Sequence, residues 1–190
     1  MIFLLAQGFG FAGSLACCLW SFASTRRTML LVQMLGSVCF LLHWILLGRE
    51  TAAAMTALLL GMAGLALLLN APPGSPQLRI VRGIYLAALL PIAALAVLTW
   101  AGPQSFFAAI GTAMCCHGRW QTDRDRHRAI LLASSVPWMV HSAIVGSIPG
   151  LCTDLFALGR AGWLAWQHWR AGRQAQPARF LLPGAVAKAG

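Results

Sequence analysis

The sequence predicts an all-α, polytopic membrane protein of seven transmembrane helices. Three observations carry that prediction. The chain is 59% hydrophobic and only 9% charged, where a soluble domain is about 25% charged. Its apolar residues fall in runs of about 18–22, long enough to cross the hydrocarbon core of a bilayer. Its basic residues alternate between the connections, which is a record of topology rather than of nucleic-acid binding.

The spans are expected near 2–23, 28–48, 51–70, 83–100, 103–118, 128–146 and 149–169. The opening MIFLLAQG lacks a basic region and a small-residue cleavage signal, so it reads as the first span and not as a removable leader. Pro and Gly mark most of the breaks, as in NAPPGSPQLR (70–79), WAGPQ (100–104) and GSIPG (146–150). Twelve of the fourteen Lys and Arg residues lie in connections 1–2, 3–4 and 5–6 or in the C-terminal tail. They are Arg26, Arg27, Arg79, Arg82, Arg119, Arg124, Arg126, Arg128, Arg170, Arg173, Arg179 and Lys188. The opposite connections hold only Arg49, and Arg160 lies inside a span. Positive-inside logic therefore places the N-terminus outside and the C-terminus inside. The six cysteines sit in or beside apolar runs and read as small hydrophobes.

An internal repeat appears at an offset of 98 residues. Phe9 meets Phe107, Gly13 meets Gly111, Cys17-Cys18 meets Cys115-Cys116, and Arg26 meets Arg124. Further on, Ser37-Val38 meets Ser135-Val136, His43 meets His141, and Gly48 meets Gly146. The match continues through Leu60-Gly61 with Leu158-Gly159 and Ala63-Gly64 with Ala161-Gly162. The repeat unit is three spans. With one span between the copies, the plan is 3+1+3, with the halves parallel. It divides the chain into a first bundle (1–70), a linker with the fourth helix (71–100), a second bundle (101–172) and a cytoplasmic tail (173–190).

This plan resembles the SWEET/PQ-loop superfamily, which includes sugar facilitators and PnuC-type vitamin transporters. More specifically, LLAQGFGFAG (4–13), GTAMCCHG (111–118) and VHSAIVGSIPG (140–150) resemble the YgjV family of bacterial inner-membrane proteins. The likeness runs from about residue 3 to 172. It implies a SWEET-like fold and an inner-membrane location, and brings no substrate. The chain departs from the PQ-loop pattern at one point: Pro103-Gln104 opens a span, and its mate Leu5-Ala6 has neither residue.

The polar residues of the spans are the candidate site. In lipid such groups turn toward a bundle interior or a cavity. Gln33, Gly36, Ser37, Phe40 and His43 form one helical stripe, and Leu131, Ser134, Ser135, Trp138 and His141 form its counterpart. His43, His141 and Asp154 lie at matching depth, roughly 6–8 Å below the outer loops, and are expected to form one layer. Arg160, about ten residues into the last span, is expected to be a mid-depth polar anchor or to be tied to carbonyls or Gln33. The matched Gly61/Gly64 and Gly159/Gly162 are expected to mark close helix packing, and Pro91 and Pro137 to kink their spans.

Two motifs are decoys. GFGFAG (8–13) fits a dinucleotide-binding pattern but opens a membrane helix rather than a βαβ unit. CCHGRW (115–120) with His127 suggests zinc or a thiol site for copper, but Cys17-Cys18 repeats the pair without a histidine, so ordinary helix packing is the expected reading. No metal, cofactor or nucleic acid is expected. No paired carboxylates or nucleophile–base spacing suggest an enzyme. The expected partners are the lipid bilayer and a small polar solute of unknown identity, with homo-oligomerisation left open. The expected function is a small-solute transporter with Arg160, Asp154, His43, His141, Ser37, Ser135, Trp138 and Gln33 at its site. The alternative is a non-transporting assembly or scaffold protein that reuses the fold.

Overall fold

The computed structural model describes residues 1–68 and 76–180, with the side chains of 168 and 171–180 left aside. Among these residues the chain is wholly helical. The helices are α1 (Ile2–Leu19, extended by a 3₁₀ turn Trp20–Phe22), α2 (Arg26–Leu46), α3 (Glu50–Leu68), α4 (Pro76–Ala87), α5 (Leu89–Leu98), α6 (Pro103–Arg119), α7 (Arg124–Ala133), α8 (Ser135–Val145) and α9 (Ile148–Phe180). α4 runs into α5 and α7 into α8, so the described residues form seven helical rods. Five of these are long and apolar enough to cross a membrane: Ile2–Phe22, Arg26–Leu46, Glu50–Leu68, Pro76–Leu98 and Arg124–Val145.

Both broken rods break for the same reason. The interruptions fall at Ala88 and Ser134, just before Pro91 and Pro137. A proline inside a helix lacks the N–H for its i−4 bond, and its ring presses on the carbonyl of residue i−4. Those residues are Ala87 and Ala133, the last residues of α4 and α7. The fourth rod also begins earlier than its apolar run suggests, at Pro76, and α9 continues to Phe180. The expected tail from 173 is thus helical as far as it is described. Residues 69–75, which hold most of the connection, and residues 181–190 lie outside the described residues.

The bundle has two distinct ends. One carries the α2–α3 and α8–α9 turns, each closed by a left-handed glycine, Gly48 (φ 65°) and Gly146 (φ 71°). A non-glycine residue there would meet its own carbonyl. The other end is tied by arginines. Arg26 donates to Arg119 O at 2.9 Å and to Ala66 O at 3.4 Å. Arg124 donates to Ser24 O and Arg128 to Ala23 O, at 3.1 and 3.3 Å.

Contacts in the first three rods recur 98 positions later. The N-cap Thr25 accepts from Thr28 N, and its mate Asp123 accepts from Arg126 N, each cap worth about 1 kcal/mol. His43 Nδ1 lies 2.8 Å from Ala6 O, and His141 Nδ1 lies 2.8 Å from Gln104 O. A Cβ on Gly13 would lie 2.9 Å from the Phe40 ring, and one on Gly111 would lie 2.5 Å from the Trp138 ring. Gly36 faces Cys17, while Ser134 Oγ lies 3.1 Å from Cys115 Sγ. These contacts are therefore built twice, whereas the close approaches of Gly10 and Gly150, whose mates are Ala108 and Ala52, are built once.

The close-packing glycines are not all those the sequence singled out. Nothing lies within 4 Å of a Cβ placed on Gly61, Gly159 or Gly162, and Gly64 meets only Met34 Cε at 3.8 Å. These face open space, because α3 and α9 pack through other faces. Gly10, Gly13, Gly36, Gly111 and Gly150 make the close approaches instead. Gly111→Val is expected to lower stability by about 1–3 kcal/mol through overpacking, whereas Gly159→Val stays near neutral. Unfolding of both variants in mixed micelles checks the contrast.

Candidate functional site

The two halves meet through α1 against α9 and α3 against α6. Ser14 Oγ donates to Pro149 O at 2.8 Å on the first seam, and Thr51 Oγ1 and Ser105 Oγ pair at 3.1 Å on the second. Between these seams the middle of the bundle is not filled. A cavity of about 150 Å³ remains there, lined from both halves. Its walls are pairs of residues 98 positions apart: Cys17 with Cys115, Ser37 with Ser135, and Phe40 with Trp138. Small hydroxyl-bearing side chains in the centre leave the space, and aromatic rings bound it.

The chemistry lies where the pairs do not match. Gln33 faces the cavity opposite Leu131, Trp44 opposite Ser142, and Asp154 opposite Thr56. Arg119 also lines it, and its mate by sequence is Ser21. Asp154 is 7% exposed and accepts one bond, from Ser142 Oγ at 3.4 Å. Arg119 is 4% exposed, and its Nε and Nη1 have no hydrogen-bond partner. The Gln33 amide is likewise buried with both its oxygen and its nitrogen unpartnered. Buried polar groups are normally paired, and each unpaired one costs about 1–3 kcal/mol or more when charged. Two such groups share the wall of one cavity.

Five of the residues read from the sequence line this cavity: Gln33, Ser37, Ser135, Trp138 and Asp154. Three do not. Arg160 lies past the cavity, with its guanidinium carbon 4.8 Å from the centre of the Phe22 ring. On α9 the cavity stripe is Gly150, Thr153, Asp154 and Ala157, and Arg160 continues it one turn too far. The expected tie between Arg160 and Gln33 is absent, since the Gln33 amide has no partner.

The histidines stand behind the aromatic wall. His43 is fully buried, with Nδ1 at Ala6 O and Nε2 3.0 Å from Ser147 Oγ. His141 has only the Gln104 carbonyl, and its Nε2 is unpartnered. Trp44 sits between the rings, 4.6 Å from His43 and 5.5 Å from His141 by centroid. Trp138 meets His141 edge-on at 5.4 Å. The two histidines thus share a layer through Trp44, while Asp154 stands on the cavity side of it. His141 also borders a second cavity of about 210 Å³ at the glycine-turn end, with Arg49, Glu50 and Gln104. The layer of Trp44, Trp138 and His141 separates the two spaces.

Arg119 was not legible as a site residue. It ends the apolar run GTAMCCHG and sits among the arginines of a connection, so it counts there as a topology charge. The usable signal was its missing partner in the repeat: a cation at 119 where the first half has Ser21.

These features define a multi-pass helical membrane protein with a polar cavity between its two halves. The Imp-YgjV family, described as a bacterial inner membrane protein, matches residues 4–172, and the chain belongs to that family. It is accordingly a multi-pass protein of the bacterial inner membrane. No curated protein and no solved structure matches it.

Proposed function

We propose that the protein is a small-solute transporter or facilitator whose binding site is the cavity between its halves. The observation that carries this reading is the unpaired Arg119 guanidinium and Gln33 amide on the wall of one partly open cavity of about 150 Å³. A scaffold protein built on this fold would fill its centre with apolar side chains.

The proposed plan is two three-helix bundles joined by the fourth rod, a 3+1+3 arrangement of the SWEET type, with the N-terminus outside. Supporting it are the contacts that recur at 98 positions and the arginines gathered at one end of the bundle. In that orientation the Trp44–His141–Trp138 layer is the outer gate, and the 210 Å³ space beyond it is the outer vestibule. Rocking of one bundle against the other would open the cavity to each side in turn.

The test is a thermal-shift screen of the purified protein against sugars, vitamins, amino acids and small anions. A ligand at 100 times its Kd adds about 2.7 kcal/mol, a readily measured rise in melting temperature. At least one class is expected to stabilise the wild type, and Ser135→Trp, which fills the cavity, abolishes the effect. Equal stabilisation of Ser135→Trp, or no stabilisation by any class, contradicts the proposal.

A further inference from the structure

The cavity is matched in shape and unmatched in charge, and that asymmetry specifies what it holds. Resting on the reading of the cavity as a solute site, we infer that its ligand is a small zwitterion: a carboxylate held by Arg119 and Gln33, and an ammonium held by Asp154 among aromatic rings.

The two charged residues belong to opposite ends of the space. α6 and α9 both start at the glycine-turn end of the bundle. Asp154 is six residues into α9, about 9 Å from that start, and Arg119 is the last residue of α6, about 24 Å from it. Both side chains line the cavity, yet no ion pair joins them among the described residues. A group of molecular length separates them. Toward the arginine end the cavity wall also carries the Gln33 amide, unmet at both its atoms and seven residues into α2. A guanidinium with a flanking amide donor is a carboxylate receptor. At the other end Asp154 is joined by the rings of Phe40, Trp44 and Trp138. A carboxylate beside aromatic faces suits an ammonium group.

A simple anion would satisfy Arg119 and leave Asp154 buried without a counter-charge. A cation would do the reverse. A neutral polyol would leave both charges uncompensated. A ligand carrying both signs meets both ends at once, with a counter-charge for each. The volume sets its size: a cavity of about 150 Å³ accommodates a molecule as large as benzene, so the ligand is a short amino acid rather than a peptide or nucleoside.

Isothermal titration of the purified full chain tests this with a graded set of probes. The ω-amino acids glycine, β-alanine, γ-aminobutyrate and 5-aminovalerate vary the charge separation. Butyrate, n-butylamine and erythritol supply the anion-only, cation-only and neutral controls. One of the ω-amino acids is expected to bind at least tenfold more tightly than all three controls. Asp154→Asn is expected to erase that margin, so that butyrate binds as well as the zwitterion, and Arg119→Gln to weaken both by tenfold or more. Erythritol or butyrate binding the wild type as tightly as the best amino acid overturns the inference while leaving the cavity a solute site. An unchanged preference in Asp154→Asn also overturns it. Failure of every probe here, together with failure of every class in the solute screen, removes the solute site itself.

Discussion

Arg119→Met protein is expected to fold at least as well as the wild type and to lose solute binding. A buried guanidinium with two unpartnered nitrogens is a liability to the folded state: its desolvation is not returned by any bond among the described residues. Replacing it with an unbranched apolar side chain of similar length removes that liability, so the unfolding transition in micelles should hold its position or rise. The same change deletes the charge that the cavity offers a ligand. Charge-assisted hydrogen bonds contribute about 1.5–3 kcal/mol each, so losing one or two weakens binding by roughly 10- to 10,000-fold. Arg160→Met is the matched control. It removes a cation above the Phe22 ring outside the cavity and should leave affinity unchanged. The two variants separate a site charge from a structural one by thermal unfolding and titration calorimetry.

His43→Leu is expected to destabilise the protein by about 3 kcal/mol, with little direct effect on solute affinity. The ring bonds Ala6 O in the first half and Ser147 Oγ in the second, with no exposure to solvent. Leucine takes the histidine bond from the Ala6 carbonyl and leaves Ser147 Oγ with only the bond it accepts from Gly150 N, and each bond lost by a buried polar group costs about 1–3 kcal/mol. His141→Leu should cost less, because only the Gln104 carbonyl loses a partner and one unpartnered nitrogen disappears. His141 stands between two cavities, so its loss should instead alter solute entry. Unfolding free energies from denaturant titration, read beside uptake rates, distinguish the two roles. The histidines thus began as twins in the sequence and differ in structure by one bond, the one from His43 to Ser147.

The all-helical build was written in the hydropathy pattern, and several local contacts follow the offset of 98. That offset aligns His43 with His141, Gly48 with Gly146 and Phe40 with Trp138, and each pair makes the same local contact. Helix ends were less visible. The fourth rod opens with PQLRIVRG, whose charges mask a helical start, and nothing apolar signals that α9 continues past Arg173. Packing glycines were misassigned because spacing alone does not say which face of α3 or α9 meets a neighbour. Gly61 and Gly159 match each other in sequence and both face open space. The site was half legible. Ser37, Ser135, Gln33 and Asp154 follow from polarity on an apolar helix. Arg160 was overvalued because its depth was judged without the 3₁₀ turn that puts Phe22 beneath it. Arg119 was missed because a charge at the end of a span looks the same whether it turns out to solvent or back into the bundle.

Counterflow in proteoliposomes tests the central claim most directly. Vesicles carrying the protein would be loaded with the solute that stabilises it best, then given a trace of the radiolabelled compound outside. The cavity account predicts saturable accumulation of label by wild type, its loss in Arg119→Met and Ser135→Trp, and its retention in Arg160→Met. Label entry no faster than in protein-free vesicles, or undiminished entry through Ser135→Trp, would contradict it.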